Sequence, residues 1–227
     1  MSTPVSGAVS WNTPVTINSG DVVTSTDLNN LNKDVAFMRA RPYSLAVQSG
    51  APGTATLPNS TLLDGSAGTF RNFFATNNGG AIQTMISTSA VGTITISGDG
   101  NFVTPTALVG LYRCTAQVML SATASSFGRI SALLYDSSGT LIGAIPGTWA
   151  TGSTSYNAVS NVSFVIPFNA SSLYGTVNQV RFIGQSATAT LISIVTNDSN
   201  GKGPGSTPKQ GNTFASVEYL GTSTGAY

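Results

Sequence analysis

The sequence predicts an all-β protein: an antiparallel, jelly-roll-like sandwich preceded by an extended arm and one short helix. Three observations point there. After residue 69 the chain breaks into about ten short runs rich in β-branched and aromatic residues, parted by Gly, Asn and Ser with no helical pattern between them. Within YRCTAQVMLS, the apolar Tyr112, Cys114, Ala116, Val118 and Leu120 alternate with Arg113, Thr115, Gln117, Met119 and Ser121, the two-residue period of a strand with one face buried. A helical period occurs in one place, DVVTSTDLNNLNKDVAFMRARPY, from Asp21 to Tyr43.

The elements follow in order. Residues 1–18 contain Pro4 and Pro14, the apolar anchors Val5 and Trp11, and no periodicity, which describes an extended arm. Gly20 makes a turn, and Thr24 stands three residues before Asp27, so a hydroxyl and a carboxylate can satisfy free backbone N–H groups at a helix start. Leu28, Leu31, Val35 and Met38 then share one stripe, and Arg39 and Arg41 complement the helix dipole before Pro42 ends the helix. Residues 43–69, rich in Gly, Pro, Ser and Thr, read as a linker or a surface-laid segment. The expected organisation is therefore arm and attachment helix over 1–42, linker over 43–69 and sandwich over 70–227.

Expected strands are FRNFFAT, AIQTMIS, GTITIS, ALVGLYRCTAQVMLSA, GRISALLYD, GTLIGAI, NAVSNVSFVIPF, NQVRFIGQS, ATLISIVT and FASVEYLG. NNGG at residues 77–80 and DSSG at residues 136–139 have the chemistry of hairpin loops.

Composition restricts the chemistry. Charged residues are only 7% of the chain, yet 41% is apolar, so the chain can fold and its surface must be largely hydroxyl, amide and glycine. The net charge is +1 with the basic residues scattered, which leaves no electrostatic footprint for nucleic acid. There is no His, one Cys and one Glu, so nucleophile–imidazole pairs, an internal disulfide and a structural zinc site are all excluded. Cys114 reads as a buried core thiol. No run of about 18 apolar residues and no basic-then-apolar leader is present, so neither a membrane span nor a cleaved signal is expected.

The remaining motifs have plain explanations. Asp64, Asp99, Asp136, Asp198 and Glu218 are the carboxylates that elimination leaves for glycoside hydrolysis, but all except Glu218 stand in turn-like contexts. In the loop NDSNGKGPGSTPKQGN, residues 197–212, Asp198 and Asn200 next to Gly201 carry a weak likeness to the start of a calcium loop that lacks its later acidic ligands, and GKG lacks the spacing of a phosphate loop, so a solvated or partner-contacting loop is expected. Trp149 and Tyr156 are candidates for a sugar-stacking or interface loop. The four Asn-x-Ser/Thr sites, at Asn59, Asn161, Asn169 and Asn197, are expected by chance in so Asn- and Ser-rich a chain. No enzyme, cofactor or metal is expected.

WNTPVTINSGDVVTSTDLNNLNKDVAFMRARP, residues 11–42, resembles the N-terminal segment of tailed-bacteriophage virion proteins, which attaches an appended domain to the particle. GLYRCTAQVML, GRISALLYDSSGTLIG, FVIPF and FASVEYLG look like the C1q/TNF-like jelly roll found as a trimeric outer domain of phage proteins. The resemblance implies a virion structural protein made in the host cytoplasm, a homotrimeric capsid decoration or cement protein bound to the major capsid protein or another virion protein. It places the attachment residues at Val5, Trp11, Leu28, Leu31, Val35, Met38, Arg39 and Arg41. The alternative it carries is a tail fibre recognising host surface glycans through Trp149, Tyr156, Asn197 and Asp198.

Overall fold

The computed structural model describes residues 22–39, 41–49, 57–75, 81–86, 92–122, 126–152, 158–187, 192–194 and 213–221. In chain order these form helix α1 (Ser25–Arg39) and strands β1 (Tyr43–Ser49), β2 (Arg71–Asn72), β3 (Ala81–Ile86), β4 (Thr95–Ile96), β5 (Asn101–Val103), β6 (Gly110–Ala122), β7 (Ser126–Tyr135), β8 (Leu141–Ile145), β9 (Ala150–Gly152), β10 (Ala158–Phe168), β11 (Ser171–Ser172), β12 (Gly175–Thr176), β13 (Gln179–Ser186), β14 (Ile192–Ile194) and β15 (Phe214–Gly221).

Two sheets face each other. One runs β10-β6-β15-β1-β3 and the other β4-β5-β13-β7-β8. Every ladder between these strands is antiparallel, and the pairings are nested: β1 with β15, β5 with β13, β6 with β10 and β7 with β8. Of these eight strands the first in the chain pairs with the last, the second with the seventh, the third with the sixth and the fourth with the fifth. A long antiparallel hairpin rolled up across two sheets produces that order, which is the jelly roll.

The alternation read in the sequence sets the core. Tyr112, Cys114, Ala116, Val118 and Leu120 of β6 are fully buried against Ala215 and Val217 of β15 and, from the facing sheet, Ile130, Ala132, Leu134, Val180 and Phe182. Phe74 packs edge-on against Phe73, Phe102 and Phe182, and Tyr112 packs against Phe168 and Tyr219. The Tyr112 hydroxyl is satisfied by the Leu108 carbonyl at 2.8 Å and that of Tyr219 by the Val109 carbonyl at 3.1 Å, so neither buried phenol is left unpaired. Burial pushes the Cys114 thiol well above its ordinary range, as for an inert core cysteine.

Two expectations are corrected. Tyr43–Ser49 is not a linker: β1 lies between β15 and β3, so the sandwich begins at Tyr43. NNGG itself lies outside the described residues, but the strands on either side of it do not pair with each other: β2 pairs with β13 in one sheet and β3 with β1 in the other. β14 and β15 lie along the same side of β6, with Ile194 opposite Leu120 and Phe214 opposite Gln117. DSSG, by contrast, does join β7 to β8, with Asp136 accepting from the backbone N–H groups of Ser138 and Thr140 at 2.9 Å each.

Residues beyond the linker's first strand cross the outer face of the β7–β13 sheet. Leu63 and Phe70 cover Leu133, Tyr135 and Ile183 to form a second, smaller apolar cluster. Ser60 donates to the Ser186 carbonyl and Ser186 donates to that of Pro58, both at 2.9 Å.

Asn169 holds one end of the sandwich together. It is the one non-glycine residue with positive φ among the described residues (φ 57°), a conformation that Asn tolerates better than most side chains. Its Nδ2 donates to the carbonyls of Pro105 (2.9 Å) and Leu108 (3.0 Å), and its Oδ1 accepts from Asn178 at 2.7 Å. The amide of this Asn-x-Ser site is thus committed internally. Asn169→Ala is expected to cost about 3 kcal/mol, from lost hydrogen bonds and an alanine forced into the left-handed region, read as a lower urea midpoint. Gly184→Ala would place a Cβ 2.2 Å from Phe73 Cζ and 2.8 Å from Leu57. An overpacking cost of about 1–3 kcal/mol is expected by the same measurement.

Candidate functional site

Two surfaces carry the residues singled out above. The first is α1. Thr24 and Asp27 form a reciprocal cap: the Asp27 N–H donates to Thr24 Oγ1 at 3.2 Å, and Asp27 Oδ2 accepts from the Thr24 N–H at 2.8 Å and from its hydroxyl at 2.6 Å. Four consecutive polar or capping residues, TSTD, leave no better local structure than this helix start. Beyond the cap, Leu28 is 54% and Leu31 59% exposed, and Val22 and Val23 just before the helix are exposed too. Arg41 is exposed beside the buried Pro42, whose carbonyl accepts from Tyr219 N–H where the chain enters β1. Val35, Met38 and Arg39 lie on α1, with side chains outside the described residues, and Val5 and Trp11 also lie outside them.

The second surface surrounds Trp149, immediately before β9. β9 pairs with the start of β7, so that Gly128 faces Ala150 and Phe127 faces Thr151. The Arg129 guanidinium lies over the Trp149 ring, with Cζ 4.5 Å from the ring centroid. On its other side Arg129 faces Gln185 of β13. Arg129 Nε and Nη2 donate to Gln185 Oε1 at 3.3 and 3.1 Å, and Nη2 also donates to the Thr61 carbonyl at 2.9 Å. Gln185 Nε2 in turn donates to the carbonyls of Leu62 and Thr69. Tyr156, Asn197 and Asp198 lie outside the described residues.

Arg129 and Phe127 were missed in the sequence because an isolated Arg or Phe in a strand carries no signal by itself. Their relation to Trp149 is set by the folding of β9 beside β7.

The carboxylates have local roles. Hydrogen bonds from Ser138 and from the Thr140 backbone hold Asp136 below the usual carboxylate range, and those from Ser66 do the same for Asp64. Glu218 faces Arg113 across the β15–β6 ladder at 3.5 Å, a solvent-exposed pair. Among the described residues, no group of three or more His, Cys, Asp or Glu side chains is placed to hold a metal ion.

Hydrogen bonds from the Thr24 hydroxyl and backbone likewise lower the Asp27 carboxyl. A carboxyl lowered on folding stabilises fully above its unfolded value of 3.8 and loses that contribution as pH falls through the lowered value. Far-ultraviolet circular dichroism is expected to show a helical component that declines on acidification below that range. Asp27→Asn should flatten this acid-dependent component.

No family model matches the sequence, and no curated protein matches it. Solved structures that resemble the fold include the Eiger TNF from S. frugiperda, at 10% identity and TM-score 0.43, covering 82% of this chain and 98% of that one. Murine APRIL is similar at 8% identity and TM-score 0.33, covering 79% of this chain and 100% of that one. A chain of infectious bursal disease virus, Gt strain, has 14% identity and TM-score 0.26, covering 80% of this chain and 61% of that one. The jelly-roll assignment rests on the nested strand pairing itself.

Proposed function

We propose that this chain is a structural protein of a tailed-phage particle: a homotrimeric capsid decoration protein, bound to the shell by residues 1–42 and displaying the jelly roll. The observation that carries the reading is α1. A helix fixed by its own reciprocal cap presents Leu28 and Leu31 more than half exposed, directly ahead of a sandwich whose apolar interior is already closed. Apolar helix positions kept in water lose the burial that stabilises most protein helices, and a docking partner restores it.

Self-association has separate support from the outer face of the β10-β6-β15-β1 sheet. Val159 and Val165 of β10 and Tyr43 of β1 are exposed there, and Leu45 and Phe214 are half-buried. Strand faces with this many apolar side chains and one ion pair suit burial against further copies better than permanent exposure. A trimer attached through one helix per copy also multiplies three weak contacts into tight retention.

Replacing Leu28 and Leu31 together by Asp in the full chain should leave the trimer intact in light scattering and abolish its retention on particles. Unchanged particle occupancy would refute the attachment reading, and a monomer in the unmodified protein would refute the trimer. Electron-microscopic labelling of the bound protein on the head supports decoration, whereas labelling confined to the tail replaces it by the fibre reading.

A further inference from the structure

Among the described residues no carboxylate answers the charge on Arg129, which meets the Trp149 ring instead. The residue is only 8% exposed, and burial lowers its pKa, yet every acceptor it meets among the described residues is neutral: the Gln185 side chain and the Thr61 carbonyl. Nearly buried cations are ordinarily matched by a carboxylate, because desolvation without a counter-charge is costly. A guanidinium has five N–H donors, of which Nε and Nη2 account for three, so the two on Nη1 are uncommitted among the described residues. Gln185 and Thr61 hold the guanidinium through Nε and Nη2, and the residue keeps 8% of its surface in solvent.

Aromatic surface lies on the same sheet face. Trp149 is 39% exposed with the guanidinium against its ring, and Phe127, two residues before Arg129 and so on the same face of β7, is 47% exposed. Exposed aromatic side chains on the same sheet face as a fixed cation combine a charge-assisted donor pair with flat apolar surface. A protein carboxylate would use the donors alone. A sugar acid uses both: its carboxylate meets Nη1 while the C–H face of its ring covers an aromatic side chain.

We propose that Arg129, Phe127 and Trp149 form a binding site for a carboxylated saccharide, the acid pairing with the guanidinium and the pyranose ring lying on the aromatic faces. The network to Gln185, Thr61 and, through Gln185, Leu62 and Thr69 holds the guanidinium in place before ligand arrives, which limits the ordering cost of binding. The site is independent of the α1 attachment surface and does not require that reading.

Calorimetric titration of the full-length protein with a galacturonic acid tetramer tests this, using the methyl-esterified tetramer and a glutamate tetrapeptide as comparisons. Saturable binding of the acid form is expected, with each comparison weaker by about tenfold or more because one lacks the charge and the other the rings. Trp149→Ala and Phe127→Ala are each expected to weaken binding by about tenfold in a chain that still folds, checked by circular dichroism at the titration temperature. Arg129→Lys, which keeps the charge but loses the fork, should weaken it as well. Absence of saturable binding at millimolar tetramer, equal affinity for the ester, equal affinity for the glutamate peptide, or undiminished binding by the Trp149 and Phe127 variants would each overturn the assignment.

Discussion

The thirteen-residue strand β6 is the constraint on which the rest depends. It pairs along its length with β10 on one side and with β14 and β15 on the other, and its inward residues from Tyr112 to Leu120 are fully buried. A one-residue slip would carry Arg113, Thr115 and Gln117 into the interior and expose the apolar set, so both of its ladders are pinned in register. Once β6 is placed, β15 has one position beside it, and β15 brings β1, which no local feature of Tyr43–Ser49 would have placed in a sheet. The second sheet follows in the same way from Ile130, Ala132 and Leu134 of β7 and from Val180 and Phe182 of β13, packed on that interior.

A surface with so few charges has to satisfy its polar groups by other means. Asp136, Asp64 and Asp27 close turns or caps, Asn169 and Asn178 join the loops at one end, and Gln185 and Arg129 tie residues 61–69 to the outer sheet. Side-chain amides and hydroxyls thus do locally what ion pairs do on more charged surfaces. Such bonds suffer little from salt screening, unlike exposed pairs such as Arg113–Glu218.

The two functional surfaces follow from different parts of this plan. α1 is determined by neighbours within four residues, from the Thr24–Asp27 cap to the spacing of Leu28 and Leu31. The Arg129–Trp149 surface depends on the β7–β8–β9 meander. A bulge between Leu134 and Tyr135 shifts its register, and a further residue is gained between the Ala132–Ile145 and Gly128–Ala150 pairs. Counting outward from the DSSG turn therefore misplaces Trp149 relative to Arg129, and neither offset has a sequence marker.

What the sequence determined by itself was local: the capped helix, the buried face of β6, the DSSG hairpin, and the absence of imidazole chemistry. Period-two and 3.6-residue patterns and cap residues act over a few positions, so they can be read without the fold. Only the tertiary structure decided that Tyr43–Ser49 belongs to the sandwich, that β2 and β3 fall in different sheets, that β14 and β15 lie along one side of β6, and that Arg129 meets Trp149. Each of these is a pairing between segments far apart in the chain, selected by the nested closure of the whole roll. An isolated segment such as YSLAVQS carries the apolar Tyr43, Leu45, Ala46 and Val47, but nothing local in it announces which strands will pair with it.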